Sequence, residues 1–437
     1  MYLENQKTMN YYLSLQIIVL SSLIAFSGTG CLQDECTETR TFIRFEPVYR
    51  TAAQIAAPIR VESPRPLEEP GIIYFYKKYL LINEFRVGIH VFDNSDPGNP
   101  NPLSFINIDG NEHFAVQANQ LQANKFNALL TIDISDVQHP VQKSVIPNAF
   151  QEVYEQPGRG FLVYHRQTDQ TQTLDCSDPN FNSLRWHETG GGGGIWVDVA
   201  NTSFFSDQAV REQSGGAGIG GSTARFTITK QHLFMVSDHN LKVFNLQNPS
   251  KPVETSVVNL GWGIETIYPF QDRLFIGSNS GMFVYDVTNP ADPSLVSSFE
   301  HARACDPVVA DSTTAFVTLR DGSMCEGFVN QLDVIDVTDL QYPNLLDSYA
   351  MKNPHGLALQ GDYLYICEGD HGLKVMDVSD RSALKEVKFH KNIPATDVIA
   401  LPNNTLLVIG KYGFFQYDAS NPLDIKLLST IPVVQDI

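Results

Sequence analysis

The chain has 437 residues, of which 43% are hydrophobic and 18% charged, and its formal net charge is −19. This length exceeds that of one ordinary domain unless the domain is a repeat array. A chain this acidic repels phosphate backbones, and no basic stripe with interleaved aromatic residues is present, so nucleic acid is excluded as a partner. The 30 glycines and 24 prolines imply many turns, and the Val, Ile, Phe and Tyr content favours strands.

The amino terminus has the pattern of an export signal. Residues 1–30 contain the apolar run LSLQIIVLSSLIAF and end in small residues before Cys31. The run is too short for a comfortable membrane span and predicts a lipoprotein signal peptide, after which Cys31 becomes the lipidated first residue. The acidic stretch 33–35 is similar to a tag that sends some lipoproteins to the cell surface. We therefore expect a lipid anchor on Cys31 in the bacterial outer membrane, facing the cell surface; a plain secretory signal is the alternative.

Cysteine usage fits an exported protein. Cys305 and Cys325 are close in sequence and bracket a strand-like run. A local disulfide between Cys305 and Cys325 is predicted for an oxidising compartment. Cys367 ends the apolar run YLYIC and is predicted to be a buried core residue. No Cys or His spacing is typical of a structural zinc site.

One phrase recurs along the chain: a run, apolar in most copies, that ends in Asp or Asn and is followed within seven residues by a proline in every copy but the seventh. Its eight copies have this residue at Asp93, Asp133, Asp175, Asn245, Asp286, Asp336, Asp377 and Asp418. Five of the seven intervals between them are 40 to 42 residues long. A period near 40 with several short strands per unit is typical of a β-propeller. The sequence thus predicts an all-β fold, an eight-bladed propeller of four-stranded antiparallel blades over residues 69–437, or seven blades if the degenerate third copy forms none.

The seventh copy shows the expected strands of one blade, at 355–359, 362–368, 372–378 and 384–390. Four copies have a glycine five residues before the repeat Asp, which predicts a hairpin turn with positive φ between the second and third strands. The repeat Asp itself ends the third strand, where its carboxylate can accept backbone N–H bonds in an Asx-turn. The repeated acids are therefore predicted to make turns, not to carry chemistry.

Two segments lie outside this regular pattern. The long interval before Asn245 holds a Gly-rich insertion at 180–221, which lacks the Lys and Ser/Thr that a phosphate-binding loop requires. Residues 31–68 are predicted to be a lipid-anchored tether and an amino-terminal closing strand. Within this tether, residues 42–49 are expected to close the ring against the last blade.

Several segments of the sequence resemble those of the LVIVD-repeat family of bacterial surface lipoproteins. The phrases that carry the resemblance include EPGIIYFYKKYLLINE, GIHVFDNSDP, GWGIETIYPF, ACDPVVADSTTAFVTLRDGSMC and NPHGLAL. The resemblance extends from about residue 40 to the end of the chain. It implies a β-propeller at the cell envelope and implies no reaction.

Counting back 20 to 22 residues from each repeat Asp or Asn, or 30 residues in the sixth copy because of its long hairpin, reaches the first residue of the inner strand. In a propeller the inner strands line the central channel, so these first residues are expected to gather around one mouth. Six of them are ionisable: His113, Arg225, Glu265, Asp306, His355 and Asp397. The first copy has Gly71 at this position. Mixed charges facing one small cavity shift each other's pKa values, which is a mark of functional sites.

These six residues allow more than one interpretation. They can be solvated or paired across the channel as structural salt bridges. They can bind a small anionic or zwitterionic molecule or a peptide end. A divalent metal held by His113, His355 and the carboxylates is a further possibility for a cofactor, against which Arg225 argues. No nucleophile motif such as GxSxG or HExxH is present, which favours binding over catalysis.

The leading hypothesis is a binding or scaffolding propeller that recognises a protein, peptide or glycan partner at the cell surface and is held to the membrane through Cys31. This rests on analogy with the fold. One alternative is a metal-assisted hydrolase or lyase with its site at the mouth of the axial channel. The other is a purely structural component of the envelope.

Overall fold

The computed structural model describes residues 37–150, 155–175, 187–188, 195–198, 219–220, 222, 224–237, 239–261, 263–300, 307–320 and 329–434. Cys31, Cys305, Cys325 and Asp306 lie outside the described residues, so the lipidation and disulfide predictions are not addressed. The chain forms two compact units, one of residues 1–45 with 167–200 and one of residues 46–166 with 201–437. Within the part of the chain that the structure describes, no helix has the length and apolarity needed to cross a membrane.

The second unit contains the propeller blades, which we number after the repeat copies that form them. Each has four antiparallel strands in chain order, so that the first strand is innermost. Blade 1 has β3 (Pro70–Tyr76), β4 (Tyr79–Glu84), β5 (Gly88–Asp93) and β6 (Asn101–Asn107), and blade 2 has β7 (Phe114–Gln117), β8 (Gln120–Lys125), β9 (Ala128–Asp133) and β10 (Val141–Ile146). Blade 1 is extended at its outer edge by β2 (Arg60–Glu62) and at its inner edge by β15 (Ile219–Gly220).

The five remaining blades repeat this plan. Blade 4 has β16 (Phe226–Thr229), β17 (His232–Val236), β18 (Asn240–Asn245) and β19 (Val253–Asn259), and blade 5 has β20 (Ile264–Phe270), β21 (Arg273–Ser278), β22 (Gly281–Asp286) and β23 (Ser294–Glu300). Blade 6 has β24 (Val308–Ala310), β25 (Thr314–Leu319), β26 (Gln331–Asp336) and β27 (Asn344–Ala350). Blade 7 has β28 (Leu357–Gln360), β29 (Tyr363–Cys367), β30 (Leu373–Asp377) and β31 (Lys385–His390), and blade 8 has β32 (Asp397–Ala400), β33 (Thr405–Gly410), β34 (Gly413–Asp418) and β35 (Lys426–Pro432).

The third repeat copy lies in a sheet of a different kind. This sheet has five strands in the order β11–β12–β1–β14–β13. They are β1 (Thr37–Arg50), β11 (Glu155–Gln156), β12 (Gly160–Asp175), β13 (His187–Glu188) and β14 (Ile195–Asp198). The described chain therefore has eight antiparallel sheets, one for each copy of the phrase, and seven of them follow the four-strand blade order. The all-β propeller of four-stranded blades is confirmed, with the third copy as the exception that the sequence left open.

The blades pack into a closed ring through apolar side chains on both of their faces. One buried cluster joins blades 1, 2 and 4, so the second blade packs directly on the fourth. Further clusters in the described residues join blades 4 and 5, blades 5 to 7, and blades 7, 8 and 1. Strands buried on both faces read as continuous apolar runs, which explains why the inner and second strands lack polar alternation.

The ring closes between blades 8 and 1. Gln416 and Asn94 exchange two amide hydrogen bonds of 2.8 and 2.7 Å, and the backbone N–H of Val434 donates to Leu67 at 2.8 Å. Residues 42–49 belong to β1, in which residues 42–45 pair with β14. The chain contacts the last blade at the fully buried Leu67, about twenty residues after this segment, and the closing role of residues 42–49 stays a prediction.

The turn positions require glycine mainly because a side chain there would clash with the fourth strand, and less because of a positive φ. Gly372 has φ +125°, and a Cβ at this residue would lie 2.4 Å from the carbonyl oxygen of His390. Gly281 does not have a positive φ, yet a Cβ there would lie 2.5 Å from the carbonyl oxygen of Phe299. The fourth strand thus passes too close to the hairpin to admit a side chain, which the sequence prediction of a positive-φ turn did not foresee.

The repeat Asp residues form the predicted Asx-turns. The Oδ1 atom of Asp336 accepts from the backbone N–H of Thr338 at 2.8 Å, and Asn245 makes the same bond with Gln247 at 2.8 Å. These bonds favour the ionised carboxylate, so the pKa values of the repeat Asp residues are lowered. A Lys78 hydrogen bond lowers the pKa of Asp93 to about 2, and the Ser135 hydroxyl lowers that of Asp133 to about 2.

We expect the propeller to lose stability as the pH falls from about 4 to 2. A carboxylate with a lowered folded-state pKa contributes stability above its unfolded value, and this is lost as the pH falls through the folded value. Urea unfolding at pH 7, 4 and 3 measures the effect. Asp336→Asn retains the turn, as Asn245 does, so this variant should lose less stability on acidification than the wild type. An identical loss in both proteins would contradict this explanation.

Candidate functional site

The described members of the predicted ring lie where the inner strands begin. His113 and Arg225 directly precede β7 and β16, Glu265 is the second residue of β20, His355 lies two residues before β28, and Asp397 begins β32. We call this end of the propeller, where inner strands begin and second strands end, the entry end. His355 and Asp397 are each 1% exposed, whereas the other three are half-buried. The structure thus confirms their strand positions, while their convergence in one axial pocket stays a prediction.

His113 and Arg225 are neighbours at the entry end. Burial, together with the adjacent Arg225 guanidinium, lowers the pKa of His113 to about 3. The imidazole lies 5.9 Å from the ring of Phe226, which begins the next inner strand. Among the residues that the structure describes, no group makes a hydrogen bond to the buried Nδ1 of His113. His113 is therefore a neutral polar group beside a fixed positive charge.

His355 forms a second pair with Arg320, which sequence reasoning did not identify. The Nη1 atom of Arg320 contacts the Nδ1 atom of His355 and lies 3.3 Å from Nε2. Because a guanidinium can only donate, the imidazole nitrogen that it contacts must be an acceptor, which requires a neutral imidazole. Burial, with Arg320 as the next cause, holds the pKa of His355 well below its ordinary value, although Glu368 and Asp370 act in the opposite direction.

The backbone of His355 is held rigidly. Its N–H donates to the carbonyl oxygen of Cys367 at 2.7 Å, and its carbonyl accepts from the hydroxyl of Thr318 at 2.8 Å. Cys367 is fully buried, as the sequence predicted. His355 is thus fixed between β25 of blade 6 and β29 of blade 7, which positions its imidazole toward Arg320.

Two buried ion pairs lie at the entry end, at equivalent positions of blades 1 and 7. Glu84 contacts Nε2 of His90 at 2.8 Å, and Glu368 contacts Nζ of Lys374 at 2.5 Å. Each carboxylate also accepts two backbone N–H groups from the segment that enters its blade, at Glu68 and Glu69 or at Lys352 and Asn353. These pairs fasten the segment that leads into each inner strand and so position the entry end.

Sequence reasoning missed Arg320, Glu84 and Glu368 for one reason. It followed only the first residue of each inner strand, but the second strand of an antiparallel pair ends at the same place. Glu84 and Glu368 both stand nine residues before their repeat Asp, and Arg320 directly follows β25. A second count, of nine residues back from the repeat Asp, finds Glu84 and Glu368, whereas Arg320 lies 16 residues before Asp336 because of the long hairpin in the sixth copy.

The described residues contain no group of three or more His, Cys, Asp or Glu side chains that could hold a metal ion. His113 and His355 each lie beside an arginine, whose positive charge disfavours a nearby cation. Asp306 lies outside this part of the chain, so a metal that includes its carboxylate remains a prediction.

We expect neither His113 nor His355 to gain a proton between pH 8 and pH 5. Burial and the neighbouring guanidinium both penalise the charged imidazole, so both side chains stay neutral. Two-dimensional NMR of the ¹⁵N-labelled imidazoles, assigned with His113→Gln and His355→Gln, follows each ring directly. The urea-unfolded chain is the control, because its imidazoles titrate near pH 6.5. Titration of either ring near that value in the folded protein would contradict the arrangement of these two pairs.

Together the fold and the repeated phrase define the class of the protein, a repeat-built β-propeller. The LVIVD repeat model matches residues 272–301, 327–351 and 354–389, which lie in blades 5, 6 and 7. Three segments of the chain thus match the LVIVD repeat. A search of curated proteins finds no match.

Solved structures share the fold at low identity. A functionally unknown protein from Desulfotomaculum acetoxidans is 12% identical, with 83% of this chain and 95% of that chain covered and a TM-score of 0.50. A protein from Lactobacillus plantarum is 13% identical, with 84% and 97% covered and a TM-score of 0.50. At this level of identity the likeness concerns the fold alone.

Proposed function

We propose that this protein is a binding or scaffolding propeller, anchored through lipidated Cys31 in the bacterial outer membrane, which recognises a protein, peptide or glycan partner at the cell surface through its entry end. A propeller of this kind fits a binding role because it holds many side chains rigidly around one opening. The lipid anchor and the location rest on the amino-terminal pattern before Cys31.

The observation that carries the proposal is the presence of two neighbouring Arg–His pairs at the entry end. In each pair a guanidinium stands beside a neutral imidazole, Arg225 with His113 and Arg320 with His355. Both groups are hydrogen-bonding side chains held on or beside strands, so little conformational entropy is lost when they bind. The partly exposed members of the pairs, His113, Arg225 and Arg320, offer directed polar contacts on a rigid surface, as recognition requires.

The same pairs argue against catalysis. A general acid or base works best when its pKa lies near the operating pH. Burial and the adjacent arginines hold the pKa values of both imidazoles far below that range. These histidines are suited to accepting or donating a hydrogen bond and poorly suited to exchanging protons.

Affinity capture of the full chain from its native envelope tests the proposal. Arg225→Gln removes a charge at the entry end, and we expect it to reduce the recovery of the captured partner at least tenfold. Lys385→Gln removes the same charge from an exposed position on the outer strand of blade 7 and is the matched control, with recovery unchanged.

Two further readouts make the result decisive. Equal thermal melting of the two variants shows that Arg225→Gln has not acted through folding. Cys31→Ser should move the protein from the membrane fraction to the soluble fraction. Equal recovery with both charge variants would place binding elsewhere on the protein, and membrane retention of Cys31→Ser would contradict the anchor.

A further inference from the structure

The outer edge of blade 1 shows how this propeller accepts an added strand. The short strand β2 pairs antiparallel with residues 105–107, at the end of the outer strand β6. Arg60 of β2 lies opposite Asn107, and its Nη2 atom donates to Oδ1 of Asn107 at 3.0 Å. The paired residues Phe105 and Ile106 are fully buried. An extended segment of three residues thus adds a strand to the outer edge of this blade.

Blade 4 has the same edge without an added strand. Its outer strand β19 is the last of four, and none of the described strands pairs with its free side. The register matches that of blade 1, because Asn259 lies opposite Asn240 as Asn107 lies opposite Gly88. Both outer strands also have a bulge at their third residue. Val257, which is equivalent to the buried Phe105, is 49% exposed.

The backbone groups at this edge point away from the blade. The N–H of Leu260 donates inward, to the carbonyl oxygen of His239 at 2.8 Å. Successive residues of a strand direct their N–H and C=O groups to opposite sides, so those of Val258 face β18 and those of Val257 and Asn259 face outward. Two residues of β19 therefore offer N–H and C=O groups to an added strand.

Most of the other outer edges are protected at the residue equivalent to Asn259. This residue stands 14 positions after the repeat Asp or Asn, and it is Pro147 in blade 2, Glu300 in blade 5, Lys391 in blade 7 and Pro432 in blade 8. Proline has no N–H to donate, and charged side chains on an edge strand discourage pairing. Blade 6 has Ala350 at this position, next to a strand that carries the exposed Asp347. Among the seven blades, only blade 4 shares the asparagine of blade 1.

We propose that the outer edge of blade 4 binds an extended peptide segment of a partner protein, which pairs antiparallel with residues 257–259 and has an arginine opposite Asn259. In such strand addition main-chain hydrogen bonds supply affinity and alternate side chains supply specificity. The arginine follows from the match with Asn107, which accepts from Arg60. Oδ1 of Asn259 accepts from the N–H of Gly261 at 3.0 Å, and an amide oxygen can accept a second bond.

Charge favours a basic segment over a second copy of this chain. The formal net charge is −19, so two copies repel each other, whereas a segment that contains arginine is attracted. The inference goes beyond the proposed function, because two strands separate β19 from the inner strand β16, which Arg225 directly precedes. Binding at this edge and capture through Arg225 can therefore fail independently.

Fluorescence anisotropy with the full chain tests this inference. The probe is a labelled peptide of residues 57–64, APIRVESP, which contains the sequence of β2. We expect saturable binding that Asn259→Pro weakens about tenfold, because proline removes an outward N–H and its ring obstructs pairing. The substitution copies the residue that blades 2 and 8 have at this position, and equal thermal melting checks its folding. Ala350→Pro makes the same change in blade 6 and is the matched control, with binding unchanged.

Modified peptides provide a second test that does not depend on the folding of a variant. In the proposed register Arg60 and Glu62 of the peptide lie opposite outward-facing residues, so their N–H groups face the edge and that of Val61 faces solvent. N-methylation of the peptide at Glu62 should abolish binding, whereas N-methylation at Val61 should leave it nearly unchanged. A peptide with Arg60→Ala should bind about tenfold more weakly, the loss expected for a charge-assisted hydrogen bond.

Weaker binding by Asn259→Pro, with unchanged binding by Ala350→Pro, supports the site. Equal binding by the wild type and Asn259→Pro, or equal effects of the two N-methyl groups, overturns its position. Unchanged binding of the Arg60→Ala peptide overturns the arginine chemistry. A dimer of the chain in analytical ultracentrifugation that Asn259→Pro dissociates assigns the edge to a second copy instead. If the probe does not bind, the inference fails, while capture that depends on Arg225 leaves the proposed function intact.

Discussion

Replacement of Glu368 by alanine is expected to lower the free energy of unfolding by about 3–5 kcal/mol. The Glu368 carboxylate is fully buried and lies 2.5 Å from the ammonium group of Lys374, which is itself only 5% exposed. Removal of the carboxylate leaves a buried ammonium group whose remaining ion pair is the 3.7 Å contact with the exposed Glu386 carboxylate. It also leaves the backbone N–H groups of Lys352 and Asn353 without their acceptor. Urea unfolding at pH 7 measures the loss.

The equivalent pair in blade 1 provides the control. Glu84→Ala should lower the free energy of unfolding by less than Glu368→Ala does. The reason is that His90 can remain buried as a neutral imidazole, whereas Lys374 cannot easily lose its charge. The double variant Glu368→Gln/Lys374→Met removes both charges and should recover part of the lost stability. Equal costs for the two alanine variants would show that only the backbone contacts of the carboxylates matter.

Gly372→Ala is expected to destabilise blade 7 by about 3 kcal/mol through backbone strain and a steric clash. The residue has φ +125°, and its new Cβ would lie 2.4 Å from the His390 carbonyl oxygen, which belongs to a paired strand and cannot easily move. Thermal unfolding of the purified variant measures the loss.

Gly361→Ala separates the two causes. Gly361 has φ +58°, but no atom lies within 4 Å of the Cβ that a substitution would add. Gly361→Ala should therefore lower the free energy of unfolding only through backbone strain, by about 1 kcal/mol. Gly281→Ala, which suffers the clash without positive φ, should fall between the two. If Gly361→Ala were as costly as Gly372→Ala, the close approach of the fourth strand would not explain the repeated glycine.

The repeat architecture could be predicted from the sequence because each blade contains one residue at a fixed structural position, from which the other positions can be counted. The Asp at the end of the third strand has a fixed role in an Asx-turn, so its spacing reports the spacing of the blades. The expected second strand at 362–368 is observed as Tyr363–Cys367, and the expected outer strand at 384–390 as Lys385–His390. The turn residues and the regular repeat period can both be read directly from the sequence, which is why the strand positions were predicted closely.

The third copy departs from the blade plan for a reason that is visible in its residues. Positions 166–173 read RQTDQTQT and contain no apolar residue. A blade strand is buried on both faces, so a strand that is polar at every position cannot lie between two neighbouring blades. The structure places this segment in β12, beside β1 and β11.

The site was predicted less completely than the fold because its partners come from different strands. The positions of His113 and His355 follow from the repeat spacing. Their neighbours do not follow from it: Arg320 reaches His355 from the preceding blade. Contacts between blades depend on packing across the ring, which no local period encodes.

Hydrogen–deuterium exchange of the full chain, with and without its captured partner, tests the central claim most directly. We predict that binding slows exchange at the entry end, in the segments 110–113, 352–356 and 395–397 that lead into the inner strands of blades 2, 7 and 8. Slower exchange confined to the outer strands, such as β27 and β31, with no change in these three segments, would contradict recognition through the entry end.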